Sequence, residues 1–232
     1  SQQLQKGDEL EASVVNETLV LRAQGSSKKS RRELDIRGHS DRVLRWKLSS
    51  FHKQGYDEIE LYNYSSQQLQ LIEEVVDQLF LGFLIQERTD TRLLLTQVAQ
   101  TDVKEFDATL RRAFRQLQHL TKDVFTALQT QDHTLLQAQR RAEQQNNKLT
   151  NFCERLLNKN LLNKHKGHFW YVIAWNLEKC ADSMKYIAQH YTSSLPSVDE
   201  QIATALQAYV DGTATLLYDF SYEALEQLNT QK

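Results

Sequence analysis

Glu178 and Asp182, two carboxylates four residues apart, are the first side chains in this sequence that suggest chemistry. They lie in the stretch 169–191, where Phe169, Ile173, Leu177, Cys180, Met184, Ile187 and Tyr191 recur at three- and four-residue steps. That spacing lines up one apolar stripe of an α-helix and puts both acids on one face at its margin. Like charges at this spacing repel by roughly 0.2–0.5 kcal/mol, so the pair calls for a cation, a basic partner or solvent. A second stretch answers it. Leu135, Ala138, Ala142, Gln145, Leu149, Phe152 and Leu156 mark another seam, with Glu143 and Asn147 four apart beside it. A short connection at about residues 163–168 favours antiparallel packing of the two helices, which sets the polar pairs opposite one another. Glu143, Asn147, Glu178 and Asp182 would then share one patch. Three carboxylates and an amide suit a divalent or iron-type ion, Mg, Mn, Fe or Zn, with the oxygen-preferring ions foremost. Lys148, Lys179 and Lys185 are close enough in sequence to neutralise the same acids without a metal.

The elements that must position these residues follow from the chain in order. Residues 8–23 alternate apolar and polar on either side of Asn16-Glu17, the pattern of a two-strand hairpin. Residues 24–32, QGSSKKSRR, read as a polar basic linker. From 33 to 100 the texture predicts a small α/β domain of order β-α-β-α-β-β. Its strands are expected at Glu33–Ile36, Asp57–Tyr62, Phe83–Ile85 and Arg92–Leu95, with helices capped by Ser40 and by Ser65 or Ser66. Residues 101–232 read as a helical bundle, with Asp102 at the start of its first helix, a turn at Gln131-Asp132 and a break at 192–197 around the single proline, Pro196. The fold class expected is mostly α with a small α/β part.

The order Asn176-Leu177-Glu178-Lys179-Cys180-Ala181-Asp182 resembles the ExxxD helix of PhoU proteins, the phosphate-uptake regulators. Glu143 to Leu149 resembles the preceding DxxxN-x-L helix, with Glu in place of Asp. The resemblance covers roughly residues 102–232. It implies an antiparallel helical bundle with metal at Glu143, Asn147, Glu178 and Asp182, and a regulator that contacts a phosphate ABC transporter or a signalling protein. PhoU proteins usually contain two such bundles, and only one set of motifs is present here, so the second bundle is expected to be incomplete. Residues 4–23 resemble the C-terminal half of an AbrB/SpoVT-type hairpin, a dimeric DNA-binding fold. DNA contact through it is expected only if a leading strand and basic loop precede these residues. A homodimer is the expected assembly.

Composition bounds the rest. The chain has 232 residues, 40% hydrophobic and 25% charged, with one Pro and seven Gly, a balance that leans to helix. A formal charge of −2 gives the whole molecule no electrostatic footprint for nucleic acid. No apolar run approaches the roughly 20 residues that span a bilayer, and residues 1–10 do not have the form of a signal peptide, so no membrane insertion and a cytoplasmic location are expected. Gly-rich phosphate loops and nucleophile elbows are absent from the sequence, and no Glu-x-x-His pair exists for a di-iron site, so no enzyme is expected. His119, His133, His165 and His168 have no Cys/His spacing for structural zinc, and the two loop histidines, 165 and 168, are expected in solvent. Cys153 and Cys180 are expected to be buried thiols. The alternative to an ion-binding regulator is a metal-free helical dimerisation or scaffold module whose acids carry no ion.

Overall fold

The computed structural model describes residues 10–15, 18–23, 29–98, 104–159, 164–191 and 198–230. The chain is mostly helical, with a small α/β part ahead of a helical bundle. Strands β1 (Leu10–Val15) and β2 (Thr18–Ala23) form an antiparallel pair with Val15 opposite Thr18. The turn at 16–17, most of the linker, Asp102, the Pro196 break and the side chains of residues 164–166 lie outside the described residues.

The α/β part has the expected order. It runs β3 (Arg31–Asp35), α1 (Asp41–Lys53), β4 (Glu58–Tyr62), α2 (Ser66–Leu79), β5 (Phe83–Arg88) and β6 (Arg92–Gln97). The sheet order is β3-β4-β6-β5, with β3 and β4 parallel and the other neighbours antiparallel. The basic pair Arg31-Arg32, expected in the linker, instead begins β3. The reason is visible on the sheet: Arg31 and Arg92 both bind Glu60, which is buried in the middle of β4. One face of the sheet buries Ile59, Leu61, Leu93 and Leu95 against Leu44 and Leu48 of α1 and Ile72 and Val75 of α2. α2 starts with a full capping box, Ser65 accepting from the Gln68 amide while the Gln68 side chain accepts from the Ser65 amide. α1 ends at Gly55, whose φ of +93° favours glycine; a Cβ there would also sit 2.6 Å from Lys159 Cγ.

The bundle comprises α3 (Lys104–Thr130), α4 (His133–Asn158), α5 (Lys164–His190), α6 (Glu200–Tyr218) and α7 (Tyr222–Thr230). Helices α3, α4 and α5 pack on one another, α6 packs on α3, and α7 packs on α6. Gln131, at φ +57°, turns the chain, and Asp132 caps α4 through the Leu135 amide. Phe106, Leu110, Leu117, Leu120, Leu149, Phe152, Leu156 and Leu177 fill the core. Two expectations are corrected here. Helix α5 begins at Lys164, inside the stretch expected as the connection, so His165 and His168 fall among its first five residues and not in a loop, and His168 is exposed as expected. Phe169 is largely exposed because the side of α5 that faces the bundle carries Trp170, Ala174, Leu177 and Ala181, a stripe displaced by one residue from Phe169.

Helix α4 is central to the molecule, because α1 and α2 pack on the side of it that α3 and α5 leave open. From Leu149 to Leu157 every residue is buried, whatever its polarity. A periodicity reading expects one apolar stripe and a wet opposite face. The docked α/β part removes that wet face, which explains why Glu143, Glu154 and Arg155 are buried.

Candidate functional site

The polar patch forms where α4 and α5 run side by side under α1. Glu143 and Asp182 come together from the two helices by sharing a single cation: Lys185 Nζ lies 2.8 Å from Glu143 Oε1 and 2.7 Å from Asp182 Oδ1. Asn147 Nδ2 donates to the same Glu143 oxygen at 2.7 Å, and its own Oδ1 is buried without a hydrogen-bond partner. Burial pushes the Glu143 carboxyl above its usual value even with Lys185 alongside. For Asp182 burial acts in the same direction, but Lys185 and Lys179 outweigh it and hold the carboxyl below its usual value.

Glu178 turns to a different partner. Its carboxylate accepts from Lys53 at 3.0 Å, and Lys53 at the end of α1 also lies 3.0 Å from Glu154 of α4. Lys179 links the two halves of the patch, 3.0 Å from Asp182 and 3.5 Å from Glu178. Glu154 has no exposed surface, and desolvation raises its pKa against the opposing effect of Lys53. Lys53 is held above its ordinary value because its two carboxylates outweigh its own burial.

Beside this network, Arg155 joins α4 to the sheet. Its guanidinium donates to the His52 carbonyl at 2.8 Å and to Gln97 Oε1, lies 3.3 Å from Asp57, and stacks over Phe83. Burial lowers its pKa to about 10. His52 stacks on Phe80 with both ring nitrogens buried and unpaired, and burial keeps it neutral.

All four predicted residues therefore lie in one patch, but they divide between two cations. Glu143 and Asp182 hold Lys185, with Asn147 bound to Glu143, and Glu178 belongs to the Lys53 group. Among the described residues, no three His, Cys, Asp or Glu side chains gather as a metal cluster. The donor chemistry still fits a hard cation. An ammonium already sits between two carboxylates, and Asn147, bound to Glu143, carries an unpaired amide oxygen of the kind such ions take. A metal ion would be held by Glu143, Asp182 and Asn147, and it would have to displace Lys185.

Sequence reasoning missed Glu154, Lys53 and Arg155. Glu154 follows Glu143 by eleven residues, three helical turns, which places both on one face of α4; that signal was available. Nothing in the local sequence points to Lys53, which reaches the site only through the docking of α1. The cysteines divide: Cys153 is buried as expected, whereas Cys180 is exposed. Compared with known proteins, the chain matches no family model, no curated protein and no solved structure. No helix among the described residues is long and apolar enough to cross a membrane.

Proposed function

We propose that this chain is a non-catalytic, phosphate-responsive regulator of the PhoU kind, acting on phosphate uptake or phosphate-dependent transcription through contacts with a transporter or signalling protein. The observation that carries this reading is the meeting of Glu143 and Asp182 on one cation between adjacent helices. The order and spacing of the two motifs imply four side chains around one ion, and two of those four, Glu143 and Asp182, meet here on Lys185. The shared cation sets how α4 and α5 pack at this point, because removing it leaves two carboxylates facing each other. Exchange of the Lys185 ammonium for a divalent ion would raise the charge at the junction from one to two. The linked helices α4, α5 and α1 would respond together, and a partner surface on them would change with ion status.

The paired variant Glu143→Gln with Asp182→Asn keeps shape and removes both charges. In cells that depend on this gene, the variant should alter phosphate uptake or the transcription of phosphate-regulated genes as much as deletion does. Wild-type phosphate behaviour in both the variant and the deletion strain would overturn the regulatory reading. A second reading is favoured by a specific feature: every acid of the patch already has a lysine partner. On that reading the patch is a structural clamp that joins the α/β part to the bundle and takes no ion.

A further inference from the structure

The formal charge of −2 averages over an uneven surface, and the outer side of α3 is strongly basic. Arg111, Arg112, Arg115 and Lys122 are all exposed there, with His119 among them. Their spacing puts them on one arc of the helix, opposite the buried stripe of Leu110, Leu117, Leu120 and Val124. From Ala108 to Lys122 the helix carries no Asp or Glu, so like charges stand at three- and four-residue steps without an acid to relieve them. None of the four cations enters an ion pair among the described residues. Arg111 lies over the Tyr218 ring at 4.1 Å. Asp219 lines one hollow with Arg111 and Arg115 but stays beyond ion-pair distance of both. Asp107 and Asp123 close the basic run at its two ends.

We propose that this face of α3 docks on the phosphate backbone of a nucleic-acid duplex. The charge here is unpaired and repeated along a line, so a polyanion is the partner that relieves it. Three of the four cations are arginines, whose guanidinium forks match phosphate oxygens. Arg111 to Lys122 spans about 16 Å of helix axis, a length over which a duplex presents several phosphates. What the face lacks narrows the class further. No large apolar side chain is exposed among the described residues of α3. The face therefore holds neither the anchor that centres a protein interface nor the apolar edge that an interfacial helix sinks into a membrane. It also exposes no Phe, Tyr or Trp on which bases could stack, which selects a duplex over a single strand. Contacts of this kind position a duplex without reading its sequence. The inference goes beyond the regulatory reading above and does not depend on it, since α3 contributes nothing to the Lys185 patch.

Fluorescence anisotropy of the full chain with a labelled DNA duplex of about 20 base pairs, between about 50 and about 200 mM chloride, tests it. Saturable binding is expected, with affinity falling roughly a hundredfold across that range, as about four neutralised phosphates require. Arg112→Gln with Arg115→Gln and Lys122→Gln removes three exposed cations that hold no ion pair, so the helix is kept, which circular dichroism checks. This triple variant should lower the slope of log affinity against log salt by about three. Arg37→Gln with Arg88→Gln, two exposed cations of the α/β part, should leave binding unchanged. The proposal is overturned by no saturable binding, by binding that the triple variant leaves intact, or by tighter binding of a single strand of the same length. Binding to phosphatidylserine vesicles in place of the duplex also overturns it and assigns the face to a membrane surface. None of these results bears on an ion at Lys185.

Discussion

Replacing Lys53 by Met should expose how strongly the two parts of the molecule are joined. Lys53 is the only cation within ion-pair distance of Glu154 among the described residues, and Glu154 is wholly buried. Met keeps most of the volume and apolar stem of Lys53, so packing loss is small. What is lost is the partner of a buried charge, a change that destabilises by about 3–5 kcal/mol. The carboxyl has an escape, because it can bind a proton. Its folded pKa is already above the unfolded value in the wild type, and loss of Lys53 raises it further. A carboxyl with a raised folded pKa binds more protons folded than unfolded, so folding is favoured below that pKa and stability falls as pH rises through it. Urea denaturation of Lys53→Met should therefore show a large deficit near pH 7.5 that shrinks as the pH falls toward 5. Adding Glu154→Gln to Lys53→Met should restore at least half of the deficit and flatten the pH dependence. A deficit below about 1 kcal/mol at pH 7.5 would mean that Glu154 is solvated, and the clamp between α1 and α4 would be refuted.

Three further outcomes follow from the same physics. Arg155→Met, which leaves the His52 carbonyl without its donor and Asp57 with a weaker cation set, should lower unfolding free energy by about 3 kcal/mol in chemical denaturation. Glu60 is held at a pKa of about 2, because Arg31 and Arg92 outweigh its burial. Its stabilising contribution is present above the unfolded value and is lost as pH falls toward 2, so Glu60→Gln should reduce the dependence of thermal midpoint on pH in that range. Ser65→Ala removes the α2 capping box and should cost about 1 kcal/mol, read as an earlier unfolding midpoint.

The α/β part was legible in the sequence because each of its elements carries its own punctuation. Ser40 and Ser65, the residues just ahead of α1 and α2, mark two of the boundaries by local chemistry. The bundle was legible as helices, and the two motif pairs as neighbours, because short connections force antiparallel packing. The electrostatics were not legible. Periodicity placed Glu143 at a wet margin, whereas it is buried, since the covering helices α1 and α2 come from about 65 to 100 residues earlier in the chain. For the same reason Lys53 and Arg155 gave no local signal: one is the last residue of a helix in the α/β part, and the other sits in a run whose polar members look solvent-facing until α1 docks. Phe169 failed in the opposite direction, as an apolar residue whose spacing fits a stripe one residue away from the one, through Trp170, Ala174 and Leu177, that the bundle buries.

On the proposed reading, the Lys185 ammonium occupies the place of a metal ion between Glu143 and Asp182, with Asn147 beside Glu143. Titration of Mn²⁺ into Lys185→Met, followed by elemental analysis after desalting, measures whether an ion can take that place. About one ion per chain is predicted for the variant, with binding to the wild type at least about tenfold weaker, because the ammonium must first be displaced. Equal failure of both proteins to retain the ion, with the variant folded, would contradict the site and leave the patch a structural clamp.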